Sequence, residues 1–176
     1  MSRTIRLDVF DTGSIERAIR ELNDYSTFVQ AKTLELQERV ATMLADYART
    51  TFNSSMREDL IGESLMLADV SVFVENNDEY TLVIASGEDA VFMEFGAGVF
   101  YNGSVGSSPH PLGAGLGYTI GSYGKGNGAK QVWGFTDANG EFHLTHGTPA
   151  SMPMYKAMMT VKDQLANIAW EVFNRD

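Results

Sequence analysis

From Ile15 to about Phe52 the chain contains neither glycine nor proline, and this run constrains the fold more than any other feature. Val29, Thr33, Leu36, Val40, Met43, Tyr47 and Thr51 recur in alternating steps of four and three. Glu35, Glu38, Arg39, Asp46 and Arg49 fall elsewhere, so the spacing predicts a long amphipathic helix with one apolar stripe. A helix of more than about 25 residues spans about 38 Å, long for a domain of 176 residues. Its stripe must lie across a sheet, meet a neighbouring subunit, or both. Ser14 is the expected N-cap. Ile15 to Asp24 forms either a separate short helix or the start of the long one, with "NDYST" as a mild break.

Strands surround this run. "TIRLDVF" alternates Ile5, Leu7 and Val9 with Arg6 and Asp8, the period of a half-buried strand. "ADVSVFVEN" sets Val70, Val72 and Val74 against Ser71, Phe73 and Glu75, and "EYTLVIAS" reads as its hairpin partner. "AVFMEF" reads as a third strand. "KQVWGFT" and "EFHLT" pair through "DANG", where Asn139-Gly140 suits a tight turn. A C-terminal amphipathic helix begins near Ser151, its expected N-cap, with Pro153 in the first turn. The expected fold is one α+β domain over 1–176: an antiparallel sheet of five to six strands packed by an N-terminal and a C-terminal helix.

Residues 96–128 form an insertion in which 11 of 33 residues are glycine and Lys125 is the only charged side chain. It also carries Val99, Phe100, Tyr101, Leu112, Leu116, Tyr118, Ile120 and Tyr123. Ordering such a segment costs about 1–2 kcal/mol of backbone entropy per residue, yet it is too apolar to be left in water. It is expected to order against another surface, with Phe95, Val99, Phe100, Tyr101, Leu112, Leu116, Tyr118 and Tyr123 as the subunit or partner interface.

Several chemistries are weak or excluded. The chain has no cysteine, so disulfides, thiolate metal sites and thiol nucleophiles are out. Residues 1–95 hold 18 acids and 8 bases, and residues 96–176 five of each. That acidic first part disfavours gripping phosphates. "GAGLGY" lacks the helix that a dinucleotide fingerprint needs, and "GKGNGAK" lacks the ending of a P-loop. His143 and His146 are three apart on an expected strand and point to opposite faces, so no metal or other cofactor is expected. Glu94, between Met93 and Phe95, is a conceivable acid or base. It is expected to face the polar side of its strand or to pair with a base in an assembly. Ser104, Ser107 and Ser108 lack a nucleophile-elbow pattern. No apolar run is long enough to span a membrane, the first residues do not read as a signal peptide, and no small-molecule substrate is expected.

"EFGAG", Glu94 to Gly98, resembles the Glu-Phe-Gly-Thr-Gly signature of the neck, or tail-completion, proteins of long-tailed bacteriophages. The order of the remaining parts is similar: a long N-terminal helix, the Gly/Pro loop "SSPHPLGAG", the hairpin "VWGFTDANGEFHLTHG", and "GTPASMPMYKAM" opening a C-terminal helix. The matching motif positions are Glu94, Phe95, Gly96, Gly98, Gly147, Pro149 and Pro153. Family members commonly carry Arg and Phe around the last proline, where this chain has Met152 and Met154. If that arginine pairs with the motif acid, the resemblance names no partner for Glu94.

The resemblance implies a non-enzymatic virion protein, assembled in the host bacterial cytoplasm, that joins the DNA-filled head to the tail. Its implied partners are copies of itself, in a hexamer, together with a head connector ring and tail terminator or tail tube proteins. The genome would only pass through the lumen. Two other classes remain: a small hydrolase built from Glu94, His143 or His146 and a loop serine, and a ligand-binding α+β module with residues 99–123 as a lid.

Overall fold

A computed structural model describes residues 4–54, 56–60, 63–66, 70–77, 80–87, 89–98, 108–118, 133–136, 139–145 and 147–174. Helix α1, Thr12–Ser54, is continuous through "NDYST" and runs 43 residues. Its N-cap is Asp11 rather than Ser14. The Asp11 carboxylate accepts from Gly13 N at 3.0 Å and Ser14 N at 3.2 Å, and its carbonyl accepts from Ile15 N. A carboxylate meets two orphan donors there, where Ser14 would have begun the helix three residues late. Ser14 is instead buried, its Oγ accepting from Asp8 N at 2.9 Å. The strand expected over "TIRLDVF" does not form. Thr4 to Asp8 has no regular structure, Val9 and Phe10 form a turn, and Leu7, Val9 and Phe10 are exposed.

The face that α1 buries is Ala41, Ala45, Ala48 and Phe52, one residue along from the expected stripe and so rotated by about 100°. Alanines let other elements approach the helix axis closely, and side-chain size therefore decided between two adjacent faces. Ala45, Ala48 and Phe52 meet Val72, Met93 and Ala157 in the core.

Strand pairs β1, Met56–Leu60, with β2, Glu63–Met66, and β3, Ser71–Asn76, with β4, Thr81–Ser86, are both antiparallel. The first pair was not anticipated from the sequence. The second follows the valine alternation: Val72 is buried, with Val70 and Val74 packed against the core. Asn77 closes that hairpin, donating its N–H to Tyr80 O and accepting at Oδ1 from Tyr80 N. Arg49 Nε donates to Val72 O at 2.9 Å and ties the hairpin to α1.

"AVFMEF" is a helix, α2, Ala90–Phe95, not a strand. Helical spacing turns Ala90, Met93 and Glu94 inward together, whereas a strand would have split Met93 from Glu94. Gly96, at φ +80°, ends it and donates to Phe92 O. Strands β5, Ala97–Gly98, and β8, Gly147–Thr148, pair antiparallel and enclose the hairpin of β6, Trp133–Thr136, and β7, Phe142–Thr145. Gly140 adopts the expected positive φ, +85°. Among the described residues the strands form four two-stranded pairs rather than one sheet of five or six. Of the expected insertion, only 96–98 and 108–118 fall within the described residues.

Helix α3, Pro153–Asn174, packs antiparallel to α1. Met154 packs on the core cluster, Gln164 reaches Tyr47, and Glu171 pairs with Arg39. The fold is α+β. Among the described residues no helix is long and apolar enough to cross a membrane.

Candidate functional site

Three backbone segments meet at Glu94. The residue is only 8% exposed. Oε2 accepts from Met154 N at 2.8 Å, and Oε1 accepts from Tyr155 N at 2.9 Å. These are the N–H groups of the second and third residues of α3, Pro153 having none, and they are the donors that an N-cap side chain normally satisfies. Met152, whose carbonyl accepts the first helical bond from Lys156 N, holds the cap position at φ +54°. Its thioether is no substitute for a capping oxygen, so a glutamate about sixty residues earlier in the chain takes over. The positive end of the helix favours that negative charge.

Ser151, the expected cap, turns back instead: its N and Oγ both donate to Met93 O, at 2.9 and 3.3 Å. Pro153 does occupy the first position of the helix and is fully buried.

The third donor to Glu94 is His110 Nε2, at 3.0 Å from Oε1. His110 Nδ1 accepts from Leu112 N at 3.0 Å. A backbone N–H can only donate, so the ring hydrogen resides on Nε2 and the imidazole donates to the carboxylate. His110 is buried, and its ring stands edge-on to Tyr155, with centroids 5.2 Å apart. Phe95 lies 4.4 Å from it on another side and stacks on Tyr118 at 3.9 Å and 5°.

The loop that carries His110 is fixed by its own chemistry. Ser108 Oγ donates to Phe95 O at 2.5 Å and accepts from His110 N. The segment from Leu112 makes a single helical turn. Tyr118 N donates to Gly113 O, Gly117 N donates to Ala114 O, and Gly117 takes φ +75°, a Schellman ending. A Cβ on Gly113 would stand 2.8 Å from Ser108 Cβ and 3.1 Å from His110 O. "GAGLGY" thus closes a loop whose Tyr118 stacks on Phe95, and among the described residues no helix N-terminus stands behind it for a phosphate.

Beside this cluster an open groove of about 670 Å³ runs between α1, β4 and α3. Gln37, Val40, Ala41 and Leu44 form its floor, Tyr80, Thr81 and Val83 one wall, Met154, Tyr155 and Met158 the other. Phe95, His110 and Leu112 close one end together with Glu94, the only carboxylate lining it among the described residues.

The motif positions Glu94, Phe95, Gly96, Gly98, Gly147, Pro149 and Pro153 are brought into one unit by the Glu94 bonds, the Ser151–Met93 bonds and the β5–β8 pairing. Of the expected interface residues, Phe95 and Tyr118 stack on each other, while Leu112 and Leu116 are exposed. Val99, Phe100, Tyr101 and Tyr123 lie outside the described residues. So do Ser104, Ser107 and His146, and with them the "GKGNGAK" segment.

Glu94 does not face a polar strand surface, because its segment is helical and turns it inward. Its partner is a histidine of its own chain, which the sequence reading passed over. The missed signal was a histidine between two prolines in the loop following the motif. Neither ring nitrogen of His110 faces a serine hydroxyl, since one meets Glu94 and the other Leu112 N, and His143 sits half-buried in β7 opposite Phe135. Among the described residues no three His, Asp or Glu side chains are placed to hold a metal ion. Comparison of the chain with protein-family models, curated proteins and solved structures gives no match.

Proposed function

We propose that this chain is a non-enzymatic structural protein of the head–tail interface of a long-tailed bacteriophage, a neck or tail-completion component whose copies form a hexameric ring around a DNA passage. The observation that carries this reading is the use made of Glu94. The acid of the Glu-Phe-Gly-Ala-Gly motif accepts three hydrogen bonds and fastens α2, the 108–118 loop and the start of α3. An acid committed in this way positions backbone: its donors among the described residues are two backbone N–H groups and the His110 ring. The two motif segments that carry the family resemblance, 94–98 and 147–155, are thereby parts of one unit.

In this reading the partners are copies of the chain, a connector ring on the head side and tail terminator or tube proteins on the other. The acidic first part of the chain would repel phosphate and let DNA pass. The same reading carries the continuous sheet of five to six strands, which the four described pairs do not form by themselves.

The test is mass by light scattering, alone and after mixing with portal-containing heads or with tails. The expected result is a ring-sized species or co-sedimentation with one of the two. A strictly monomeric protein that binds neither overturns the reading. Serine at Phe100 and Tyr101 is expected to weaken assembly with far-ultraviolet circular dichroism unchanged.

The groove favours a second reading, a ligand-binding module, because its volume lies within the range of small-molecule sites. Protection of Tyr80 and Tyr155 by a small molecule, without any self-association, would select it.

A further inference from the structure

The first half of α1 carries a second apolar row, separate from the core. Ile15, Ile19, Leu22, Ser26 and Val29 follow one another in steps of four and three. Ile15, Ile19 and Leu22 are exposed, Leu22 by 56%. The α3 helix does not reach them, since it ends three residues beyond Glu171, whose partner on α1 is Arg39. In helical phase this row continues through Thr33 to Val40 and Leu44, the floor of the groove. One face of one helix is therefore a projecting ridge at its start and the bottom of a groove further on.

We infer that the ridge of one copy seats in the groove of the next, so that this face of α1 is a head-to-tail contact between copies of the chain; the inference rests on the ring reading above. The ridge cannot fill its own groove. Leu22 and Val40 are 18 residues apart on one unbroken helix, about 27 Å along its axis.

Charge selects the same pairing. The chain carries −10 overall, so two copies repel at most approaches. Residues 12–34 are an exception, with Glu16, Glu21 and Asp24 balanced by Arg17, Arg20 and Lys32. Among the described residues the groove's single carboxylate, Glu94, is already held by three donors. Its volume of about 670 Å³ takes several aliphatic side chains. A neutral apolar ridge and an apolar groove are different patches, and contact between unlike patches propagates: it gives a ring when the rotation closes.

Two substitutions at exposed positions separate the surfaces. Leu22→Asp spoils the ridge and leaves the groove, while Met158→Asp, at a residue 43% exposed, spoils the groove and leaves the ridge. Each variant alone is expected to be monomeric with unchanged circular dichroism. Mixed together they are expected to form a one-to-one dimer, about twice the 19.3 kDa chain mass, that grows no further.

The chain has no cysteine, which permits a second readout. Leu22→Cys mixed with Met158→Cys is expected to cross-link at least tenfold more than either variant with itself. Preferential cross-linking of Leu22→Cys with itself would mean a symmetric ridge-to-ridge dimer and overturn the inference. Undiminished rings from both aspartate variants would also overturn it while leaving the ring reading intact. A wild-type chain that stays monomeric yet co-sediments with heads or tails overturns the head-to-tail contact alone; binding to neither removes both.

Discussion

Glu94 on α2 and His110 in the following loop are joined by a buried 3.0 Å hydrogen bond whose direction is set by a third residue. Leu112 N–H occupies the other imidazole nitrogen, so His110 can only donate to the acid. The acid's remaining two bonds go to α3. One carboxylate thus holds three pieces of chain that are distant in sequence, and its removal should act on stability.

Glu94→Gln keeps the shape but replaces one acceptor oxygen with a donor that faces N–H groups. The expected cost is about 1–3 kcal/mol in urea unfolding. Glu94→Ala, which leaves three buried donors without a partner, should cost more than Glu94→Gln. An unchanged unfolding midpoint in both variants would show that the three bonds are not holding the fold.

Two glycines in the His110 loop should respond differently to alanine. At Gly113 the added carbon meets Ser108 Cβ at 2.8 Å and the His110 carbonyl at 3.1 Å, so the loop must move away from Glu94. A loss of about 1–3 kcal/mol is expected, with a change in near-ultraviolet circular dichroism from Tyr118 and Tyr155. At Gly117 nothing lies within 4 Å, and only the left-handed backbone at φ +75° resists. That costs about 1–2 kcal/mol and should leave the aromatic signal alone.

Ala48 is completely buried where α1 meets the core. Ala48→Leu should destabilise the chain by about 1–3 kcal/mol through overpacking. Glu171→Gln, at the half-exposed pair with Arg39, should cost less than about 1 kcal/mol. If Ala48→Leu proves neutral, the buried face has been misplaced.

The Phe95–Tyr118 stack is expected to contribute about 0.5–1.5 kcal/mol beyond burial. A double-mutant cycle with leucine at each position measures it. Zero coupling would mean that the rings meet without contributing to stability.

Local pattern alone determined several elements. The valines at 70, 72 and 74 specify a half-buried strand and its hairpin, Asn139-Gly140 the tight turn between β6 and β7, and Pro153 the first residue of α3. The Gly- and Pro-free run specifies a long helix, because every residue in it tolerates helical backbone and nothing in it breaks one.

Tertiary structure decided what local pattern leaves balanced. "AVFMEF" is too short for periodicity to choose between strand and helix; a helix won because it points Met93 into the core and Glu94 at α3 together. On α1 two adjacent faces are both apolar enough to bury, and the alanine face won because alanines allow the closest approach. The other face was left partly exposed as the ridge. Glu94's partner was illegible for the same reason: a hydrogen bond among residues 94, 110, 154 and 155 depends on where three segments end up in space, and no spacing along the chain encodes that meeting.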